Sequence, residues 1–256
     1  MPYRGSMITA RQARRWASRL LIVLLALVVL VAAALVVWSR TGIMEAEPEP
    51  LEEVFGDPGV EVTESSSSLV LEPAAGGPSA TGLVFYPGAK VEPDAYAARL
   101  AELVTEQSMT VVIVKPWLHL ALLDRRGLDT FTGDLPEVGT WIVGGHSLGG
   151  VRACQVAAEA DALLLLGSYC ATDLSAHGLP VLSLAGSEDG LSTPTKVSEA
   201  RSLLPDDAAM VEIQGASHAS FGDYGPQDGD GTATISDEDM DAEVSTEVEE
   251  FVGSFA

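Results

Sequence analysis

Basic residues are scarce over most of this 256-residue chain. Of its 14 Lys and Arg, six lie in the first 40 positions, which hold no acid, so residues 41–256 set eight basic residues against all 37 acidic ones, a formal charge of −29. A surface this acidic repels nucleic acid and anionic head groups, which excludes a DNA or RNA partner and disfavours anionic substrates. Its plain physical use is solubility. Cysteine is nearly absent: Cys154 and Cys170 are the only two, which excludes a disulfide scaffold. Cys154 falls about two turns down an expected helix and Cys170 after an expected strand, so two small buried thiols are the expected state and a single bridge the alternative. Only four histidines occur, His119, His146, His177 and His218, so any proton-transfer chemistry has few candidates.

What is abundant is apolar sequence, and its longest run is LLIVLLALVVLVAAALVVW, Leu20 to Trp38, without a charge, Pro or Gly. As a helix these residues span roughly 28 Å, close to the ~30 Å hydrocarbon core of a bilayer. A cleaved signal peptide is the rival reading, but its apolar region is shorter and ends in small residues, whereas this one ends in Val-Val-Trp. Arg4, Arg11, Arg14, Arg15 and Arg19 precede the run, which orients the N-terminus to the cytoplasm and the remainder outside. The expected organisation is a basic cytoplasmic segment 1–19, a transmembrane helix 20–38, an acidic, proline-bearing linker 39–59, and one domain over 60–256, targeted to the cell membrane as a single-pass protein.

Within that domain, short apolar runs alternate with helical patterns. VEVT and SLVLEP come first, then runs at 82–87, 110–115, 140–145, 162–168, 180–186 and 210–215 that from Gly82 onward are apolar on both faces, as buried parallel strands are. Helices are expected over Pro93–Gln107, Leu118–Asp124, Ser147–Glu159, Thr193–Leu204 and about Asp237–Val252, the last capped by Ser236 with Met240, Val244, Val248 and Phe251 on one stripe. Strand and helix in alternation predict a mostly parallel sheet with helices on both faces.

Such sheets present their functional residues beyond the carboxyl ends of the strands. At one such junction stands WIVGGHSLGG, Trp141 to Gly150, in which Gly145-His146-Ser147-Leu148-Gly149 fits G-x-S-x-G, the pattern that holds a serine on a strained strand-to-helix turn. Alone the pattern is weak in a glycine-rich chain. Its setting between an apolar strand and the helix former VRACQVAAEA makes Ser147 a candidate nucleophile rather than a small residue in a turn.

A serine nucleophile needs a base and an acid that orients it. His218, directly after the last expected strand, is the candidate base. His119 and His177 lie in less suitable places, and His146 points away from the elbow. The acid is expected after the strand at 180–186, where Asp189 is preferred to Glu188 and Asp173; a purely loop-capping Asp189 is the bland alternative. Oxyanion donors are expected at the backbone N–H groups of Leu148 and, in the turn Pro87-Gly88-Ala89, of Ala89 in preference to Gly88, with Lys90 either a source of positive potential or a plain solvated lysine. Asp223, Asp228 and Asp230 fail the spacing of a calcium loop; that glycine-rich loop is read as shaping the substrate mouth. No metal or cofactor is expected.

The stretches FYPGAKVEPDAYAARLAELV, VVIVKPWLHLAL, WIVGGHSLGGVRAC, AGSEDG and SHASFGDYGPQDGDGTATIS together resemble the α/β-hydrolase superfamily. Within it they resemble the small bacterial group called α/β-hydrolase fold-5, near the dienelactone-hydrolase-like enzymes, over about Gly82 to Val252. The resemblance implies an α/β-hydrolase fold and a catalytic triad of Ser147, Asp189 and His218. Dienelactone hydrolases proper use a cysteine nucleophile, so their substrate does not carry over. About a dozen residues join the strands at 162–168 and 180–186, too few for a large cap domain, so an open site is expected. These readings converge on a membrane-anchored, extracytoplasmic serine hydrolase, carboxylesterase-like and of the EC 3.1.1 class, acting on a small ester, thioester or lactone. An acyltransferase acting on cell-envelope components needs the same residues, and a catalytically inactive binding domain on the same fold is the third alternative. No motif identifies the acyl chain or the oligomeric state.

Overall fold

A computed structural model describes residues 10–75 and 79–255. Residues 1–9 of the basic N-terminal segment therefore lie outside the described residues. The chain divides into two compact units, Met1–Gly42 and Ile43–Ala256. In the first, a single helix, α1 (Ala10–Ser39), contains an apolar span from Arg11 to Ser39 that is long and apolar enough to cross a membrane and is not buried by the protein.

The second unit begins at Ile43, before the expected start near Val60. Within the acidic stretch a helix, α2 (Pro48–Gly56), opens on a proline in its first turn and buries Val54, and Met44 bridges to Val91. Proline at this position is compatible with a helix because its missing N–H would have no intrahelical partner.

Eight strands follow: β1 (Val60–Glu64), β2 (Ser68–Pro73), β3 (Thr81–Tyr86), β4 (Thr110–Val114), β5 (Thr140–His146), β6 (Ala162–Leu166), β7 (Val181–Gly186) and β8 (Ala209–Ile213). They form one sheet in the order β1-β2-β4-β3-β5-β6-β7-β8. β2 pairs antiparallel with β1 and β4, and all pairs from β4 across to β8 are parallel. The apolar strands fill both faces: Leu83 and Phe85 of β3 belong to one buried cluster, Val84 and Tyr86 to the other. On the first face pack α3 (Ala101–Thr105) and α7 (Asp237–Gly253), the latter through Met240, Val244, Val248 and Phe251. Ser236 caps α7 by accepting the Asp239 amide at 3.1 Å. On the second face pack α4 (Asp129–Thr132), through Phe131, and α5 (Leu148–Val156), through Ala153, Cys154 and Val156. A short α6 (Pro194–Glu199) precedes β8.

Four helical expectations change, the first being Ser147–Glu159, which divides into α5 and the 3-10 turn Ala157–Glu159. Pro93–Gln107 breaks into a 3-10 turn, Pro93–Tyr96, and α3. Leu118–Asp124 is not a helix but two 3-10 turns, with Leu118 and His119 in left-handed backbone conformations (φ 58° and 54°). Here a tertiary bond overrides leucine-rich helix propensity: the His119 carbonyl accepts the Lys90 amide at 2.8 Å. Thr193–Leu204 divides into α6, capped by Thr193, and the 3-10 turn Ala200–Leu203.

The expectation of two free thiols is also corrected. Cys154 and Cys170 form a disulfide with a Cα–Cα separation of 5.6 Å. α5 is short, so Cys154 sits near its end. Gly167, in the left-handed region (φ 48°), turns the chain after β6 so that Cys170 reaches it.

Candidate active site

The strand β5 ends at His146, and α5 starts at Leu148, so Ser147 alone makes the turn. It does so at φ 53°, ψ −123°, a conformation that costs a non-glycine residue of order 1–3 kcal/mol and persists only where its surroundings impose it. The surroundings here are a neighbouring strand and one hydroxyl. The Ser147 amide donates to the Leu166 carbonyl at 3.2 Å, and the Ser147 carbonyl accepts the Ser168 hydroxyl at 2.7 Å. Two glycines permit the close approach: a methyl at Gly145 would lie 2.5 Å from the Gly149 carbonyl carbon, and one at Gly149 would lie 1.9 Å from the Tyr86 carbonyl oxygen. The start of α5 is thereby pressed onto the end of β3, and Ser147 remains only half-buried.

The loops after β7 and β8 meet beside this turn. Asp189 (3 % exposed) and His218 (1 % exposed) are joined by a hydrogen bond of 2.8 Å between His218 Nδ1 and Asp189 Oδ2. A carboxylate accepts only, so the proton of that bond sits on Nδ1 and the lone pair of His218 is left on Nε2. The other oxygen, Asp189 Oδ1, accepts the amides of Leu191 and Ser192 at 2.8 and 2.6 Å. Asp189 thus engages its own loop with one oxygen and His218 with the other. Glu188 is exposed, and Asp173, also exposed, is engaged by the amide and hydroxyl of Ser175. The ring of His146, adjacent to Ser147 in sequence, packs against that of His218 with centroids 4.4 Å apart and planes tilted by 46°, which ties the serine turn to the His218–Asp189 pair.

After β3, the turn at Pro87 to Lys90 faces the same end of the sheet. The Gly88 amide donates to the Tyr96 hydroxyl at 2.9 Å and the Lys90 amide to the His119 carbonyl. Between them the Ala89 amide has no acceptor among the described residues, and neither has the Leu148 amide at the start of α5. Proline at 87 supplies no N–H at all.

One residue of the site escaped the sequence analysis in its role. The sequence places Asp230 in a glycine-rich loop read as shaping the substrate mouth, with calcium ligation set aside on spacing. Its Oδ1 instead accepts the amides of Gly190, His218 and Gly231 at 3.0, 3.0 and 2.7 Å, and its Oδ2 that of Ala219 at 2.8 Å. One carboxylate thus joins the Asp189 loop to the His218 loop. Burial alone would raise its pKa, but these four amides outweigh that and hold it below the ordinary carboxylate value. A lone Asp between glycines in GDG was the available signal, since such loops expose amides that need an acceptor. Asp223, its companion in that reading, pairs with Arg99 at 3.0 Å. Among the described residues no group of three or more His, Cys, Asp or Glu could hold a metal ion. His177 is exposed, and His119 contributes its carbonyl to the turn after β3.

Comparison with known proteins adds the following. A family model described as the alpha/beta hydrolase family matches residues 82–242. No curated protein matches the chain by sequence. Among solved structures, a thermostable esterase from Pseudomonas putida ECU1011 superimposes with a TM-score of 0.55 at 15% identity, over 79% of this chain and 86% of its own. Est1E from Butyrivibrio proteoclasticus gives 0.52 at 14% identity, over 76% and 99%. DcsB, solved with a substrate analogue, gives 0.54 at 13% identity, over 77% and 100%. At these identities the likeness is one of fold.

Proposed function

Because the chain belongs to the alpha/beta hydrolase family, we propose that it is a serine hydrolase that cleaves a small carboxylic ester, thioester or lactone through an acyl-enzyme. The observation that carries this reading is the buried His218–Asp189 pair, whose His218 ring packs against that of His146, the residue next to a serine held in a strained turn.

In this reading Ser147 Oγ attacks the acyl carbon while His218 Nε2 takes its proton, and Asp189 fixes the Nδ1–H tautomer and steadies the imidazolium. The tetrahedral oxyanion is met by the amides of Leu148 and Ala89, which have no other acceptor among the described residues. On collapse the bond to the leaving alcohol or thiol breaks, and His218 returns its proton to that group. Water then attacks the acyl-serine with His218 as base, releasing the acid and restoring Ser147.

The setting follows from the remainder of the chain. The apolar helix ending at Ser39 is read as a single membrane anchor, with the N-terminal arginines cytoplasmic and the catalytic domain extracytoplasmic. The Cys154–Cys170 disulfide supports that side, because such bonds persist outside the reducing cytoplasm.

The test is covalent labelling by a fluorophosphonate together with hydrolysis of a 4-nitrophenyl ester series of increasing acyl length. Wild type is expected to label and turn over, and Ser147→Ala to do neither. Labelling of Ser147→Ala at the wild-type rate sinks the assignment.

A further inference from the structure

Behind the turn that carries Ala89 lies a buried pair that the triad does not use. Tyr96 is fully buried and His146 is 1 % exposed. The Gly88 amide donates to the Tyr96 hydroxyl oxygen at 2.9 Å, and that hydroxyl lies 2.9 Å from His146 Nδ1. Space is closed around the contact: a methyl at Gly88 would lie 3.0 Å from both His146 Nδ1 and the Tyr96 hydroxyl.

The protons can be assigned. If His146 carried its proton on Nδ1, the Tyr96 oxygen would receive two N–H donors and its own proton would have no acceptor. With the proton on Nε2, Tyr96 accepts from Gly88 and donates to Nδ1, and the one group left over is Nε2–H, for which the His218 backbone is the nearby hydrogen-bonding group. The second arrangement leaves fewer buried groups unpaired, so it is the stable one. Burial first, and then the neighbouring His218, push the pKa of His146 well below its ordinary value, so its ring stays neutral. Burial likewise holds the Tyr96 hydroxyl protonated.

We infer that Tyr96 and His146 are positioning residues for the reaction proposed above, a relay that aims the Ala89 amide and seats the ring of His218. Two consequences follow from the geometry. By taking the Gly88 amide, Tyr96 fixes the peptide plane before Ala89, so the Ala89 N–H is the one presented at that turn. By packing against His218 at a centroid distance of 4.4 Å with the rings tilted by 46°, His146 gives the base a neutral aromatic neighbour when it becomes imidazolium. Because that neighbour carries no charge, it does not oppose proton uptake. The chain from oxyanion turn to base is then continuous: Gly88, Tyr96, His146, His218. This inference rests on the serine-hydrolase reading.

Tyr96→Phe removes only the hydroxyl, and His146→Asn keeps an oxygen near the position of Nδ1, whereas His146→Phe keeps the ring and loses the acceptor. With 4-nitrophenyl acetate as probe, Tyr96→Phe is expected to lower kcat at least tenfold with KM within twofold. A loss confined to kcat is the mark of an interaction made in the transition state. Phenylboronic acid, which forms a tetrahedral adduct with an active serine, should lose affinity by the same factor. Each His146 variant removes one of the two roles, the ring in His146→Asn and the acceptor in His146→Phe, so both should lower kcat with KM within twofold. Wild-type kcat and boronate affinity in Tyr96→Phe, or wild-type kcat in either His146 variant, overturns the relay while leaving the hydrolase reading intact. Absence of turnover in wild type, with no fluorophosphonate labelling, removes both.

Discussion

Gly149→Ala tests whether the catalytic geometry depends on pressing α5 against β3. The added methyl would lie 1.9 Å from the Tyr86 carbonyl oxygen and 2.5 Å from that of Pro87. Both obstacles are backbone, so no side chain can rotate away. Restoring a tolerable contact near 3.1 Å requires the two segments to separate by about 1.2 Å, a displacement of the size that costs roughly 100-fold when it misplaces reacting groups. The segments that part are those carrying the two candidate oxyanion donors: Leu148 precedes Gly149, and Ala89 follows Pro87 by two residues. Losing one such donor costs about 10²–10³ in kcat, and overpacking costs about 1–3 kcal/mol of stability. We therefore expect kcat for 4-nitrophenyl acetate to fall about 100-fold, the fluorophosphonate labelling rate to fall in parallel, and Tm to drop by several degrees. Gly253→Ala is the control, since a methyl there meets nothing within 4 Å, and it should leave all three measurements unchanged. Wild-type kcat in Gly149→Ala would refute the reasoning.

Other expectations concern the supporting residues. Asp189→Asn puts an amide opposite His218 Nδ1, favours the wrong tautomer and should lower kcat by about 10³–10⁴ with the fold retained by circular dichroism. Reducing the Cys154–Cys170 bond opens a loop of sequence separation 16, which costs about 3 kcal/mol by chain entropy. A Tm drop of roughly 6–12 °C in Cys154→Ser/Cys170→Ser should register this in calorimetry. Asp241 shares Arg99 with Asp223 and Asp237. Burial above all, opposed by Arg99 and reinforced by the neighbouring acids, pushes its pKa up to about 7. The folded state thus keeps a proton that the unfolded chain releases near pH 4, and its contribution to stability, full below pH 4, is lost as pH rises through 7. Asp241→Asn should therefore raise Tm at pH 8 and flatten its decline between pH 4 and 7; an unchanged Tm–pH curve contradicts this.

The parts legible in the sequence are those set by one periodicity. The strands from β3 to β7 are buried on both faces, and their unbroken apolar runs fix their number and boundaries within a residue or two. The stripe Met240, Val244, Val248 and Phe251 fixes α7 in the same way. Short elements depend on partners distant in sequence and were misread. The run Leu118–Asp124 has helix composition, yet Lys90 draws the His119 carbonyl away from it. The helix α2 stands in an acidic stretch that resembles a linker, and only the burial of Val54 and the pairing of Met44 with Val91 separate it from one.

The candidate site divides along the same line. Ser147, Asp189 and His218 each follow a strand end, so topology alone brings their loops to one edge, and the Asp189–His218 bond needs no further signal. What topology does not carry is the choice among neighbouring amides and carboxylates, because it is made by side chains whose spacing speaks of something else. Tyr96 falls inside the helix expected over Pro93–Gln107, but its hydroxyl takes the Gly88 amide and leaves the Ala89 amide without an acceptor among the described residues. Asp230 reads as one acid in a glycine-rich loop, but four amides from the loops after β7 and β8 converge on it. In each case one polar group satisfies backbone donors that would otherwise be buried and unpaired. Requiring an acceptor for every buried amide therefore locates the residues that position the site, where hydrophobic periodicity locates only the frame that holds them.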